Sequence, residues 1–345
     1  MAMMRAVAVT DIGKVELIEV EKPQIGPGEV LVRNRAASLC TVEQRAFKGI
    51  IDMPKPFVGG HEVAGEIVEL GEGLLGDWKV GEKVITRCFP TCHVCYYCRL
   101  GYENQCINGA KLRGKHKVNS GLGEFMAVPE FQLFKCAEDV PYEQAAITEP
   151  ISCVLHSIDK GRIDFGDDVV VIGAGIMGLL HTQLSKLRGA NVIVSEVSAE
   201  RRALAEKMGA NVTFDPTEKD PVEFVKSLTD GRGADVIFNT TAVSAVWDQA
   251  IGMVGKLGRI VAYSSQHPDN PVGVKMGNLH SREYEIIGTV SPAINDFRRA
   301  AKLHAMKALQ LEELISAVIP YTDGQKAFET AVAGAYRVVI EMPKE

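Results

Sequence analysis

Residues 169–196 of this chain read VVVIGAGIMGLLHTQLSKLRGANVIVSE. An apolar run that predicts a buried strand leads into a Gly-x-Gly-x-x-Gly turn, which opens a segment of helical periodicity. In such a turn the first glycine permits the tight bend, the second lets backbone N–H groups approach a pyrophosphate, and the third lets helix and sheet pack closely. The stretch therefore predicts a strand, turn and helix that bind a dinucleotide. The candidate phosphate-binding residues are Gly173, Gly175, Ile176, Met177 and Gly178.

Glu196 ends the next predicted strand, 18 residues after Gly178. A carboxylate there would accept hydrogen bonds from the adenosine ribose hydroxyls and repel a 2′-phosphate, so NAD(H) is expected in preference to NADP(H). Two alternatives stay open from the sequence. Glu196 could be a solvated strand end, and Arg201 or Arg202 could still bind a phosphate.

The two halves of the chain have different patterns. After about Gly166 strands and helices alternate, which is typical of a doubly wound parallel sheet. Before about Pro150 the chain reads as short alternating strands broken by glycine and proline, which predicts a compact, mostly β domain. We therefore expect an α/β protein of two domains. The pattern alone does not assign the tail after about Ser291 to either domain.

Composition excludes several functional classes. The 345 residues carry a net charge of -6, and lysine and arginine are scattered without a basic block, so no nucleic-acid or anionic-membrane partner is expected. The longest apolar run, Val169 to Leu180, is too short to span a bilayer. Residues 1–10 lack the apolar core of a secretory signal, so we expect a cytoplasmic protein.

A second motif is the run Cys-x2-Cys-x2-Cys-x7-Cys formed by Cys92, Cys95, Cys98 and Cys106. Four thiolates can close a tetrahedral zinc site that leaves no position for substrate, so this site would fold a loop, at about residues 88–110. Disulfides need an oxidising compartment, and an iron–sulfur cluster of the ferredoxin type usually has a proline after its last cysteine. We predict structural zinc, with the nearby histidines His93 and His116 as solvated bystanders.

An open metal site is a third hypothesis. Cys40, His61, Glu62 and Glu149 supply thiolate, imidazole and carboxylate, a ligand set suited to catalytic zinc with one open position. Each residue also has an ordinary explanation, such as a buried thiol, a hydrogen-bonded histidine or a carboxylate at a helix start. Sequence spacing cannot bring these residues together, so the residues alone leave both interpretations open.

The motifs together resemble the zinc-dependent medium-chain alcohol and polyol dehydrogenases, including the sorbitol dehydrogenases, over nearly the whole chain. Besides the four-cysteine loop and the glycine-rich turn, the resemblance rests on Glu149-Pro150 and on Gly60-His61-Glu62-x2-Gly65-x5-Gly71. It implies a GroES-like catalytic domain (1–151), a Rossmann NAD-binding domain (152–290) and a C-terminal segment (291–345) that returns to the catalytic domain. It also implies two zinc ions per subunit and a homodimer or homotetramer.

The resemblance further assigns Cys40, His61 and either Glu62 or Glu149 to catalytic zinc, next to a nicotinamide ring that accepts hydride. The expected reaction converts a secondary alcohol, a polyol or sugar-derived hydroxyl, to the ketone. The alternatives are a threonine-type or simple-alcohol dehydrogenase, and a catalytically silent homologue that binds NAD and zinc.

Three positions depart from the family pattern. Val42 stands where the family has a proton-relay hydroxyl, so the alcohol proton needs another route or the reaction differs from simple alcohol oxidation. Glu43 replaces the aspartate that commonly braces the zinc histidine, and we expect Glu43 to do the same with one more methylene. The stretch Gly288 to Ser291 lacks the arginine that some sorbitol dehydrogenases present to their polyol, so sorbitol is only one candidate substrate.

Overall fold

The computed structural model describes residues 2–112, 120–266 and 268–344. The chain forms two compact units: one contains residues 1–152 and 292–345, and the other contains residues 153–291. We call them the first and the second unit. His116, which the sequence predicts to be a solvated bystander, lies outside the described residues.

The strands are β1 (Met3–Asp11), β2 (Lys14–Glu21), β3 (Glu29–Ser38), β4 (Glu62–Leu70), β5 (Lys83–Arg87), β6 (Phe125–Pro129), β7 (Leu133–Lys135), β8 (Asp168–Ile172), β9 (Asn191–Ser195), β10 (Val212–Phe214), β11 (Ala234–Asn239), β12 (Val254–Ala262), β13 (Glu285–Gly288), β14 (Ala317–Pro320) and β15 (Val338–Glu341). The α-helices are α1 (Thr41–Phe47), α2 (Tyr96–Arg99), α3 (Gly109–Leu112), α4 (Tyr142–Ala145), α5 (Thr148–Gly161), α6 (Ile176–Leu187), α7 (Ala199–Lys207), α8 (Pro221–Leu228), α9 (Val246–Met253), α10 (Met276–Arg282), α11 (Ile294–Ala305) and α12 (Gly324–Val332).

The first unit is built on a seven-stranded sheet. Its strand order is β14-β15-β3-β4-β5-β7, and β6 pairs with β3. Adjacent residues of β4 face opposite sides, so Val63 packs in one apolar cluster and Ala64 in another. Strands β1 and β2 form a separate antiparallel hairpin.

The C-terminal segment completes this sheet. Strand β15 pairs antiparallel with β3, with Val339 opposite Ser38. Phe328 of α12 and Ile340 of β15 are fully buried in one apolar cluster with Val7 and Leu39 from the start of the chain. This pairing carries Arg337, which precedes β15, to the end of β3 that leads into α1.

The second unit is a six-stranded parallel sheet of order β10-β9-β8-β11-β12-β13. The residues of β8 are buried, as expected for a central strand whose two faces are both covered by helices. The order reverses at β8, whose carboxyl end bears the glycine-rich turn. Such a switch point is where open parallel sheets bind their ligands.

The α/β fold class predicted from the sequence is confirmed by this architecture together with the comparisons given below. Strand β12 is irregular in its first half, where Leu257 has a left-handed conformation (φ 62°) and the pairing with β11 shifts in register between Ala234 and Val236. Within the described parts of the chain, every helix is too short or too polar to cross a bilayer.

Candidate active site and metal centres

Strand pairing brings three of the predicted ligands together. Cys40 caps the start of α1 just after β3, while His61 precedes β4 and Glu62 is its first residue. Because Ser38 lies opposite Glu62 in the antiparallel pair, the end of β3 meets the beginning of β4. One ligand atom from each of Cys40, His61 and Glu62 lies within 4.8 Å of the others.

The Glu43 carboxylate holds Cys40 and His61 in place through hydrogen bonds. Its Oε2 accepts a hydrogen bond from the backbone N–H of Cys40 (3.1 Å), and its Oε1 accepts one from the N–H of Gly60 (2.9 Å). Nδ1 of His61 lies 3.2 Å from the same Oε1, and a carboxylate accepts only, so Nδ1 carries the proton. Nε2 is therefore the nitrogen left for a metal, as in the histidine–carboxylate pairs that orient zinc ligands.

The charges around His61 favour a cation. Burial alone would lower the pKa of the His61 imidazole, but the Glu43 carboxylate and the Cys40 thiolate outweigh burial and hold that pKa well above 6.5. Burial raises the pKa of Glu43, yet His61 and the N–H donors more than compensate, so the net pKa of Glu43 is lowered. In the absence of metal a proton on His61 supplies the positive charge.

Glu62 is held by Arg337. Nε of Arg337 lies 3.1 Å from Oε2 and its Nη2 2.5 Å from Oε1 of Glu62, and both side chains are buried. Burial would lower the pKa of Arg337, but Glu62, Cys40 and Glu149 together raise it. Each carboxylate oxygen keeps a second lone pair, so Glu62 can face a metal while it accepts from Arg337.

Glu149 lies near this cluster but is not among its three converging ligands in the described residues. It is in the first turn of α5 and is buried, and its charge acts on both Arg337 and Cys88. Sequence reasoning named Glu62 and Glu149 as alternative ligands. The geometry brings Glu62 into the cluster and leaves Glu149 outside it.

The donor set fits zinc. Thiolate, imidazole and carboxylate are the groups that zinc binds, and the three ligand atoms lie within 4.8 Å of one another. Val42 lies in α1, two residues after Cys40, with 39% of its surface exposed, and it supplies no hydroxyl. Cys88 is half-buried and remains a protonated thiol, because desolvation raises its pKa to about 11.

The four cysteines of the loop also converge. Their sulfur atoms lie within 4.8 Å of one another, although α2 and a 3-10 turn (Glu103–Gln105) are the only regular structure described between the first and last of them. The Sγ of Cys92 accepts from the N–H of Cys95 and from the side-chain amide of Asn108, both at 3.3 Å. Such N–H donors favour the thiolate form of a metal-binding cysteine.

These thiols cannot all ionise without a cation. The Asn108 amide and backbone N–H groups lower the pKa of Cys92 to about 6, whereas burial and the neighbours Cys95 and Cys106 raise that of Cys98 to about 12. A divalent ion would remove this conflict, so the loop fits the predicted closed tetrathiolate site. His93 is exposed, as predicted for a solvated histidine, and it also lies 3.2 Å from the Thr91 hydroxyl and packs edge-on against Phe131.

The glycine-rich turn has the geometry that its sequence predicts. Gly173 has a φ of 93°, a conformation that favours glycine. A Cβ added to Gly178 would lie 1.8 Å from the carbonyl oxygen of Gly173, so only glycine fits there. Gly175 caps α6, and a Cβ there would meet no described atom within 4 Å, which leaves space for a ligand in front of Ile176 and Met177.

Glu196 is not a solvated strand end. The residue is buried, and its Oε2 accepts from the N–H of Ala174 in the turn (2.7 Å) while Oε1 accepts from the N–H of Ser198 (2.9 Å). Two lone pairs remain for ribose hydroxyls. Arg202 is engaged with Asp215 and with the carbonyl groups of residues 196 and 197. Arg201 is half-buried in the first turn of α7.

Sequence reasoning missed two residues of these sites. Arg337 binds Glu62, 275 residues away, and nothing in the local sequence links the two. Thr240 follows β11, and its hydroxyl donates to the carbonyl oxygens of Ile172 (2.7 Å) and Gly173 (3.3 Å), so it secures the turn. Neither residue belongs to a short motif that a single sequence could reveal.

The fold and the sites define a protein with a dinucleotide-type glycine-rich turn and two candidate metal sites, and comparisons with known proteins identify its family. Residues 26–138 match the family model of the alcohol dehydrogenase GroES-like domain, and residues 177–306 match that of the zinc-binding dehydrogenases. The chain belongs to the zinc-dependent medium-chain alcohol and polyol dehydrogenase family. The family and the oxidoreductase class expected from the sequence are thereby confirmed.

Individual relatives agree on the class and differ in substrate. The erythritol/L-threitol dehydrogenase of Mycolicibacterium smegmatis is 29% identical over 98% of this chain and 97% of its own length. The L-threonine 3-dehydrogenase of Pyrococcus horikoshii is 36% identical over 71% of each chain. A solved structure from Sinorhizobium meliloti, described as a zinc-binding dehydrogenase bound to NADP, is 28% identical with a TM-score of 0.89, covering 99% of this chain and 100% of that one.

Proposed function

We propose that this protein is an NAD-dependent, zinc-dependent dehydrogenase that oxidises a secondary alcohol of a polyol or sugar-derived substrate to the ketone. The observation that carries this proposal is the convergence of Cys40, His61 and Glu62 within 4.8 Å. A three-ligand set of this kind leaves a position open for substrate. The polyol relatives supply the substrate class, and the erythritol/L-threitol enzyme covers nearly the whole chain.

The protein's own residues would hold and orient the reacting groups. Zinc, when bound, draws electron density from the substrate hydroxyl, and the nicotinamide ring takes the hydride that the carbinol carbon loses. Cys40, His61 and Glu62 would hold the metal, while Glu43 fixes the His61 ring and Arg337 fixes the Glu62 carboxylate. The hydroxyl proton leaves to solvent by a route other than Val42, which has no group to pass it on.

Glu62 is the carboxylate we assign to the metal, with Glu149 as a neighbouring acid. Glu62→Gln should lower the zinc affinity of this site more than Glu149→Gln does. Chelator competition on the two variants compares them directly. A larger loss of affinity in Glu149→Gln would exchange the two roles.

We assign NAD as the coenzyme because the buried Glu196 carboxylate faces the turn that would hold the pyrophosphate. Glu196→Gln should reduce the preference for NAD over NADP, measured as the ratio of kcat/KM values, by about tenfold or more, since charge repulsion by a 2′-phosphate is removed. Glu200→Gln, an exposed acid in the first turn of α7, is the matched control. An unchanged ratio in Glu196→Gln would remove this role.

The central experiment combines metal analysis with a substrate panel. Zinc-loaded protein should contain two equivalents per chain, and NAD reduction should be fastest with one of the tested tetritols, pentitols or hexitols. Cys40→Ser should retain one equivalent and lose activity roughly a thousandfold or more, because a Lewis acid contributes several kcal/mol. Cys136→Ser, a thiol outside both clusters, is the control. One equivalent in the wild type, with Cys40 open to alkylation, would refute the open metal site.

A threonine-type activity is the second candidate, favoured by the 36% identity to the Pyrococcus enzyme. The same panel separates the two, because L-threonine would then be oxidised with a higher kcat/KM than any polyol. Tight NADH binding without oxidation of any alcohol would instead identify a catalytically silent homologue.

We further propose that the protein is cytoplasmic and forms a homodimer or homotetramer. All eight cysteines lie within the described residues and are free thiols, which suits a reducing compartment. Fractionation of the native cells and sedimentation of the purified protein test the two statements.

A further inference from the structure

Glu43 occupies a tightly filled position. It is 1% exposed, and its two carboxylate oxygens accept from the N–H of Cys40, the N–H of Gly60 and Nδ1 of His61. In this position the Glu43 side chain passes directly beside residue 59. Any side chain at that residue would compete for the same space.

Residue 59 is a glycine that leaves this space open. A Cβ added to Gly59 would lie 2.8 Å from Cγ and 2.9 Å from Oε1 of Glu43, closer than real Cβ atoms approach. The backbone of Gly59 is not in the left-handed region, so its conformation does not itself require glycine. Gly60 is different, because its φ is 98° and an added Cβ would lie 2.7 Å from the backbone nitrogen of Leu122.

We propose that Gly59 is a positioning residue of the metal site, matched in size to Glu43. Its missing side chain lets the longer carboxylate bind His61 and both backbone N–H groups at once. Gly59 cannot retreat from Glu43, because its carbonyl accepts from the N–H of Leu122 and the carbonyl of Gly60 accepts from that of Gly121. The pair acts on the metal through the orientation of the His61 ring. This inference rests on the metal site of the proposed function.

A double-mutant cycle tests the match. Gly59→Ala should displace the Glu43 carboxylate, release Nδ1 of His61 and weaken zinc binding at this site by about tenfold to a hundredfold, the usual effect of losing such a partner. Glu43→Ala removes Cγ and Oε1, the two Glu43 atoms that an added Cβ would meet. In the Glu43→Ala background, Gly59→Ala should therefore weaken zinc binding by little further. Gly273→Ala, where an added Cβ meets no described atom within 4 Å, is the control.

The measurements are zinc dissociation by chelator competition and the ¹⁵N resonance of His61 Nδ1 in metal-free protein. The metal-free resonance reports the Glu43 contact even if the catalytic assignment fails, so the two failures are distinguishable. If Gly59→Ala leaves both unchanged, or if the two substitutions are simply additive, the inference is overturned. If Gly59→Ala does not fold, we expect the double variant to fold, because the overlap with Glu43 is removed. Failure of both variants to fold would refute the inference.

Discussion

At the scale of the residue, His181 shows how burial sets a charge state. The imidazole is fully buried between the rings of Phe238 and Tyr263, and burial lowers its pKa to about 4. Nδ1 lies 2.7 Å from the carbonyl oxygen of Met177 and therefore carries the proton, so Nε2, 2.9 Å from the Ser157 hydroxyl, accepts. The folded protein thus holds a neutral histidine.

This histidine should make stability depend on pH. Between pH 6.5 and about 4 the unfolded chain binds a proton that the folded chain does not, so stability falls as the pH is lowered through this window. The full effect is about 3 kcal/mol. Urea unfolding of wild type and His181→Gln at a series of pH values measures it. The variant should show the shallower dependence, and parallel curves would contradict this account.

The Glu62–Arg337 pair should be sensitive to the loss of either partner. Both side chains are buried, so Arg337→Met leaves an uncompensated carboxylate and should destabilise the first unit by about 3–5 kcal/mol. Glu62→Gln with Arg337→Met removes both charges and should recover part of that loss. Denaturant unfolding of metal-free protein gives the values, and Arg298→Met, on an exposed part of α11, is the control.

At the scale of the element, the four-cysteine loop lacks an apolar interior. Cys95 and Cys98 are its buried residues with hydrophobic character, while Val94, Tyr96 and Ile107 are more than half exposed. A segment of this kind cannot offset the entropy of ordering its backbone by burying apolar surface. Its conformation should therefore depend on the metal that the cysteines bind.

Removing one thiol should unfold this element alone. Cys98→Ser should reduce the zinc content from two equivalents to one and make residues 92–108 exchange amide hydrogens freely, since structural zinc supplies the folding free energy of such loops. The six-stranded sheet of the second unit should keep its protection. Hydrogen exchange followed by mass spectrometry resolves the two regions, and unchanged protection in the loop would argue against a metal-dependent fold.

At the scale of the whole molecule, the two units differ in how the chain builds them. The second unit uses one continuous segment, whereas the first combines residues 1–152 with residues 292–345. The apolar cluster that joins these segments contains Val7, Phe47, Phe328 and Ile340. Burial of each of these large apolar side chains stabilises the folded state by about 1.5–3 kcal/mol, and this stabilisation is lost when the partner segment is absent.

Fragments should reproduce this difference. A fragment of residues 148–291, which keeps α5 whole, should fold cooperatively, because all six strands of its sheet are present. Residues 1–152 alone should remain unfolded or aggregate, because β14, β15 and α12 are missing. Circular dichroism and thermal unfolding of the two fragments check both outcomes. A cooperative transition in the N-terminal fragment would contradict the role given to the C-terminal segment.

The sequence by itself determined the features that depend on near neighbours. The turn at Gly173, the short alternating strands before about Pro150 and the clustering of Cys92 to Cys106 all follow from residues a few positions apart, because strand and helix periods and loop spacing are local. These features were sufficient for the α/β fold class and for the family.

Only the tertiary structure decided which distant groups meet. Cys40 lies close to His61, Arg337 binds Glu62, and Gly59 packs against Glu43. Each of these contacts joins residues that are 16 to 275 positions apart. Such contacts follow from strand pairing and from the exclusion of overlapping atoms in a closely packed interior. Neither the pairing of distant strands nor the fit of side chains in the interior leaves a pattern that a single sequence displays.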